Sequence, residues 1–211
     1  MAEPCVFVVD DDEAVRDGLY ELFSAEGIPV RVFASAEEFV DAGLTRHPGC
    51  VILDIHMPGM TGIELQSELI RQGASIPIIA ITGQGDVPKA VTMLKGGAID
   101  FIEKPFDPAA LLQAVGEALD REGQARRLSA EQEETEARLA TLSPRERQVL
   151  DLVVAGHSNK AIGAKLGISV RTVENHRAKL MDKMDCSNVS SLITTILQLK
   201  NPPAKSPPGS V

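Results

Sequence analysis

Residues 50–66 read CVILDIHMPGMTGIELQ. Val51, Ile52 and Leu53 form a short apolar run that ends in one carboxylate, Asp54. Met57, Pro58 and Gly59 then break the run, and a helical spacing of apolar residues begins at Ile63. Strand then helix is one β–α repeat. A charge at the very end of such a strand stands at the rim of a sheet, where ligands bind in open α/β folds, and not in the core.

The alternation extends over the first 120 residues. Apolar runs occur at Val6–Val9, Val30–Phe33, Val51–Leu53, Ile76–Ile81 and Phe101–Ile102. Helical patterns lie between and after them, at Glu13–Ala25, Ala36–Leu44, Ile63–Arg71, Val87–Lys95 and Pro108–Leu119. Runs this short cannot be sorted by period alone, and the Val and Ile content with flanking Gly and Pro decides for strands. The expected fold is α/β, a doubly wound five-stranded parallel sheet covered on both faces. The polar residues that close its strands are Asp10, Asp11 and Asp12, then Asp54, Thr82 and Lys104.

Residues 121–140 are rich in Ala, Arg, Gln and Glu, good helix formers interrupted only by Gly123. They predict a helical linker continuing from the preceding helix, with apolar spacing too sparse for a zipper. From Leu142 the pattern is helical only. LSPRERQVLDLVVAG places Ser143 as a cap, Pro144 first and Glu146 three residues after the cap. NKAIGAKLG reads as a short helix capped by Asn159, SVRTVENHRAKLMDKM as a third helix capped by Ser169, and NVSSLITTILQLK as a fourth. NPPAKSPPGSV at the end predicts disorder. The expected domains are 1–121, a linker over 122–141, an all-α four-helix domain over 142–200 and a tail over 201–211.

Charge divides the same way. Residues 1–120 carry 20 acidic and 7 basic side chains, whereas residues 141–211 carry 5 acidic and 10 basic. An acidic front joined to a basic back points to a nucleic-acid partner for the back. No stretch reaches the about 18–20 apolar residues of a membrane span. The first residues lack the basic-then-apolar layout of a secretory signal, so a cytoplasmic location is expected. The three cysteines, Cys5, Cys50 and Cys186, are scattered without metal-ligand spacing, and Cys5 and Cys50 read as small buried hydrophobes.

The strand-end residues suit phosphoryl chemistry. Carboxylates and water fit Mg²⁺, which takes an octahedral oxygen shell. A lysine is a point charge for a phosphoryl oxygen, a threonine hydroxyl can donate to another, and a carboxylate can act as nucleophile to form an acyl phosphate. VVDDDEAVR, LDIHMPGMTG, ITGQGD and FIEKPFD, in this order, resemble the receiver domain of two-component response regulators over roughly residues 4–121. The resemblance implies a flavodoxin-like receiver in which Asp54 accepts a phosphoryl group from a sensor histidine kinase. It implies Mg²⁺ or Mn²⁺ on Asp11, Asp54 and the backbone carbonyl of His56, with Asp10 in support. It further implies that Thr82 and Lys104 hold phosphoryl oxygens, that Phe101 is a switch aromatic and that the Lys104–Pro105 bond is cis. Asp12 matches a variable position and receives no role.

Other chemistries fit less well. GQGDVP at 83–88 lacks the third glycine of a dinucleotide fingerprint and follows the fourth strand. There is no GxxxxGK[ST] phosphate cradle. An aspartate-nucleophile phosphatase would carry a second aspartate where His56 stands. His56 reads as a loop residue beside the mouth, placed to tune dephosphorylation. The chain is therefore expected to be a stoichiometric phosphoacceptor with autodephosphorylation, not an enzyme.

In the basic part, NKAIGAKLGISVRTVENHRAKLMDKM is a helix, a glycine turn and a helix, the helix-turn-helix layout whose second helix enters the major groove. Val173, His176, Leu180 and Met184 form its inner stripe. Arg171, Glu174, Asn175, Ala178 and Asp182 form the outer one, flanked by Lys179 and Lys183. Glu174 could accept from cytosine and Asn175 could pair with adenine. Lys160, Arg171, Thr172, His176 and Lys179 suit phosphates. Leu142–Leu199 resembles the LuxR/NarL-type DNA-binding domain, and both resemblances together look like the FixJ branch. Glu174, Asn175 and Ala178 match positions that this family uses for base contact. The partners implied are the kinase, double-stranded DNA, a second copy after phosphorylation and RNA polymerase, with no membrane. The competing reading is a phosphate-independent DNA-binding regulator with a structural receiver.

Overall fold

A computed structural model of the chain describes residues 3–83 and 87–200. The tail at 201–211 and residues 84–86 of the GQGDVP stretch lie outside the described residues. The chain forms two compact units, and the division falls between Arg126 and Arg127.

The first unit contains β1 (Cys5–Val9), α1 (Glu13–Ala25), β2 (Val30–Phe33), α2 (Ala36–Asp41), β3 (Gly49–Asp54), α3 (Gly62–Arg71), β4 (Ile78–Thr82), α4 (Val87–Lys95) and β5 (Asp100–Glu103). The start of α5 (Pro108–Ala140) completes it. All four strand pairings are parallel, in the order β2-β1-β3-β4-β5. Every residue of β1, β3 and β4 is buried. Successive side chains of a strand enter opposite faces: Phe7, Val9, Val51 and Leu53 pack on one side, Val6, Val8, Cys50 and Ile52 on the other. With both faces covered, these strands read as continuous apolar runs without alternation. The chain changes direction between β1 and β3, which opens a crevice beyond their carboxyl ends.

Two local devices shape that crevice. Asp12, to which the sequence assigned no role, is the N-cap of α1, where its carboxylate accepts from the Ala14 N–H. Thr61 caps α3 in a full capping box with Glu64. Gly62 starts that helix because a Cβ there would stand 2.3 Å from the Asp54 carbonyl oxygen. Only glycine lets α3 begin this close to the end of β3.

Several boundaries differ from expectation. The helix after β2 stops at Asp41 instead of Leu44, and β4 starts at Ile78 instead of Ile76. The helix that begins at Pro108 does continue into the linker, as the composition predicts, and runs through Gly123 to Ala140. One glycine costs a helix about 1 kcal/mol, and good helix formers surround it. Arg126 also pairs with Glu122 one turn back and donates to the Arg46 carbonyl.

The second unit contains the end of α5, then α6 (Pro144–Val154), α7 (Asn159–Leu166), α8 (Val170–Lys183) and α9 (Val189–Lys200). Its core joins Leu139 and Leu142 to Val149, Leu150, Val153, Ile162, Val173, Leu180, Met184, Leu192 and Ile196. Ser143 and Glu146 form the expected capping box of α6. The cap of α7 is Ser158, not Asn159. The Asn159 side-chain oxygen instead accepts from Arg177 of α8. Gly167, at φ 67°, ends α7 in the left-handed region, and Ser169 caps α8.

Lys183 does not flank the outer stripe of α8 as expected. Its ammonium lies 2.7 Å from the buried Glu146 carboxylate and 3.0 Å from the Thr141 carbonyl oxygen. The hydrogen bond from Lys183, then that from Ser143, hold the Glu146 carboxyl at about 2. Among the described residues, no helix is long and apolar enough to cross a membrane.

Candidate phosphoryl site and nucleic-acid interface

At the crevice, Asp10 and Asp54 are buried and Asp11 is exposed, and each offers a carboxylate oxygen within 4.8 Å of the others. Asp10 follows β1, and its Oδ1 accepts the Asp12 N–H at 2.9 Å. Arg16 of α1 donates to the Asp10 carbonyl oxygen at 2.7 Å, so the β1–α1 loop is held from two sides. Lys104, beyond β5, places its ammonium 2.7 Å from Asp10 Oδ2 and 3.6 Å from Asp54 Oδ2.

Burial, and then the neighbouring Asp10 charge, push the Asp54 carboxyl above its ordinary value, against the pull of Lys104. Burial would lower the Lys104 ammonium, but its hydrogen bond and attraction to Asp10, with the Asp54 charge, raise it. Three convergent carboxylates form a hard-oxygen donor set that fits Mg²⁺. The lysine keeps them from repelling without compensation.

Thr82 closes β4 and is buried, and its hydroxyl donates to the Gly83 carbonyl at 3.3 Å. Phe101 is half-buried against the core on the β1 Phe7 side of the sheet. Lys104–Pro105 is cis. His56 is exposed, and its Nε2 is hydrogen-bonded to the Lys89 ammonium on α4. The β3–α3 loop and the first turn of α4 are thus joined beside the mouth.

On α8 the exposed side chains are Val170, Arg171, Glu174, Asn175, Ala178, Lys179 and Asp182. Val173, Leu180 and Met184 are buried, while His176 is half-buried among the inner stripe. Thr172 is half-buried too, and its hydroxyl pairs with Ser169 at 2.8 Å. Lys160 is exposed on α7. The structure therefore gathers Arg171, Glu174, Asn175, Ala178 and Lys179 on one open face and turns Thr172 and His176 partly away from it. The Arg177–Asn159 bond fixes α8 against α7.

Residues 6–116 match the response regulator receiver domain family, and residues 140–196 match the bacterial regulatory proteins of the luxR family. The chain belongs to the two-component response regulators. Among curated proteins it is similar to the transcriptional regulatory protein FixJ of Azorhizobium caulinodans, at 46% identity over 91% of each chain. It is also similar to FixJ of Rhizobium meliloti, at 42% identity over 93% of this chain and 97% of that one. Among solved structures it resembles the response regulator StyR, with TM-score 0.86 and 40% identity over 93% of this chain and all of that one. Full-length FixJ from B. japonicum aligns with TM-score 0.60 and 40% identity, over 95% and 98% of the two chains.

This response regulator is a phosphorylation-activated transcriptional regulator with a receiver and a LuxR-type DNA-binding domain. The receiver implies a sensor histidine kinase as partner, and the second domain implies DNA. Three side chains near its sites escaped the sequence reading: Arg16, Lys89 and Arg177. Their partners lie 6, 33 and 18 residues away, on other elements. Helical or strand periodicity carries no signal for such contacts.

Proposed function

We propose that Asp54 of this regulator takes the phosphoryl group. A carboxylate oxygen of Asp54 attacks the donor's phosphorus, the bond to the donor breaks, and an acyl phosphate forms. Asp11, Asp54 and the His56 backbone carbonyl would hold Mg²⁺ or Mn²⁺, with Asp10 in support. When bound, such an ion would supply charge neutralisation for the transferring group. Lys104 and Thr82 bind phosphoryl oxygens. The Thr82 hydroxyl, which otherwise bonds Gly83, turns toward the group, and Phe101 turns inward.

The new charge of about −1.5 to −2 then favours pairing of two receivers through α4, β5 and α5. Two helix-turn-helix domains on one dimer bind two half-sites, with a gain set by effective concentration. Glu174, Asn175 and Ala178 face bases, while Arg171, Lys179 and Lys160 face phosphates. Thr172 and His176 contact the backbone from the edge of the same helix. The protein acts in the cytoplasm, contacts RNA polymerase and turns over no external substrate. The proposed domain limits are 1–121, 122–141 and 142–200, with a tail over 201–211.

The observation that carries this reading is the meeting of Asp10, Asp11 and Asp54 with Lys104 at one sheet end. Intact mass after incubation with Mg²⁺ and a small phosphodonor tests it. One added phosphoryl group on the wild type and none on Asp54→Asn is expected. No addition to folded wild type would leave a phosphate-independent DNA binder.

A further inference from the structure

We propose that Val170 reads the methyl group of a thymine in the major groove, and so sets part of the regulator's DNA specificity. The inference rests on α8 being the recognition helix. Val170 is the first residue of α8 and 43% exposed. Among the described residues it is the one large apolar side chain left exposed on α7 and α8. It stands one turn before Glu174 and beside Arg171, on the polar face that also carries Asn175. Residues at the start of a recognition helix contact base edges.

Its placement is set by the fold. Ile168, two residues earlier, packs against the domain core, and its carbonyl oxygen would lie 2.8 Å from a Cβ at Gly163. That glycine lets the turn close against α7. Gly163 also lies beside the Val170 backbone, since the same Cβ would meet the Val170 nitrogen at 3.8 Å. The Ser169 hydroxyl is occupied by the Thr172 N–H and hydroxyl. The backbone carrying Val170 thus lies between the Gly163 turn and the capped start of α8, while its side chain stays exposed.

Among the major-groove edges of the four base pairs, the thymine C5-methyl is the one methyl group. A branched apolar side chain among Arg, Glu and Asn gains most from burying that methyl. Glu174 and Asn175 suit cytosine and adenine, and Val170 supplies the complementary reading of thymine.

The test uses the phosphorylated full chain and a duplex that it selects from a random pool. Each thymine of the selected site is then replaced by deoxyuridine, which removes only the methyl group. Wild type is expected to lose about fourfold in affinity at one thymine of each half-site, the equivalent of one buried CH₂. Val170→Ser should bind the thymine and uracil duplexes equally, and match wild type on the uracil duplex. Val170→Thr, which keeps one methyl and nearly the same shape, should retain part of the discrimination.

Three results would overturn the assignment: wild type indifferent to every replacement, Val170→Ser with the wild-type ratio, or a selected half-site without thymine. If the phosphorylated wild type selects no duplex, DNA recognition by α8 fails with it. The two failures are thereby separate.

Discussion

Lys104 lies closer to Asp10 than to Asp54, at 2.7 Å against 3.6 Å. Before phosphorylation, the cation of the site rests on the supporting carboxylate and leaves the proposed nucleophile more open. Lys104→Gln would leave the two buried carboxylates facing each other uncompensated and remove a charge from the transferring group. Phosphoryl uptake from a small donor should fall by about 10²-fold, the scale of losing one preorganised electrostatic partner. Uptake at the wild-type rate, followed by intact mass over time, would show that Lys104 has no part in the transfer.

Asp54 costs stability where it stands. Its folded carboxyl titrates above the ordinary value, chiefly through burial and then through Asp10. A raised acid destabilises the fold once the pH exceeds its unfolded value, because the ionised form is the unfavourable one. Asp54→Asn should therefore melt higher than wild type at neutral pH without metal, by about 1 kcal/mol or a few degrees. Mg²⁺ should raise the melting temperature of wild type and leave that of Asp54→Asn nearly unmoved. A lower melting point for the variant in metal-free buffer contradicts this account.

In the helical unit the sign is opposite. Glu146 is held at about 2 by Lys183 and Ser143. A carboxyl depressed on folding contributes stability that is present above its unfolded value and lost as pH falls toward its folded one. That contribution should fade between pH about 5 and about 2. Glu146→Gln should lower stability at pH 7 and flatten the acid limb of the unfolding curve. Parallel acid limbs for wild type and variant would show that the pair does not couple to folding.

The His56–Lys89 contact joins the β3–α3 loop to α4 beside Asp54. We hypothesise that it narrows the approach of the hydrolytic water. Lys89→Ala and His56→Ala should each shorten the phosphoryl lifetime several-fold, and the double variant should add little to either. Unchanged lifetimes, measured by loss of label after removal of donor, would dismiss this role.

The sheet and the strand-end carboxylates were legible because each follows from a short-range rule. Val51–Leu53 is apolar throughout because both faces of β3 are covered, and Asp54 and Thr82 are the residues at which their strands run out. The less legible features depend on long side chains crossing between elements. Ser158 and Asn159 can both cap a helix, and the choice rests on Arg177, which takes the Asn159 oxygen from another helix. Lys183 sits at a spacing that places it near the outer stripe, yet the buried Glu146 draws it inward. The continuation of the preceding helix into the linker was legible from its helix-forming composition, since one glycine, Gly123, is a small penalty inside a helix as long as Pro108–Ala140.

The most direct measurement is DNA affinity of the full chain, with its oligomeric state, before and after phosphorylation, with Asp54→Asn in parallel. The account predicts that wild type dimerises and binds a selected duplex at least tenfold more tightly once phosphorylated, a shift of about 1.4 kcal/mol. Asp54→Asn should respond to phosphodonor in neither respect. Equal affinity in all states, or an Asp54→Asn variant that binds as tightly as phosphorylated wild type, would contradict it.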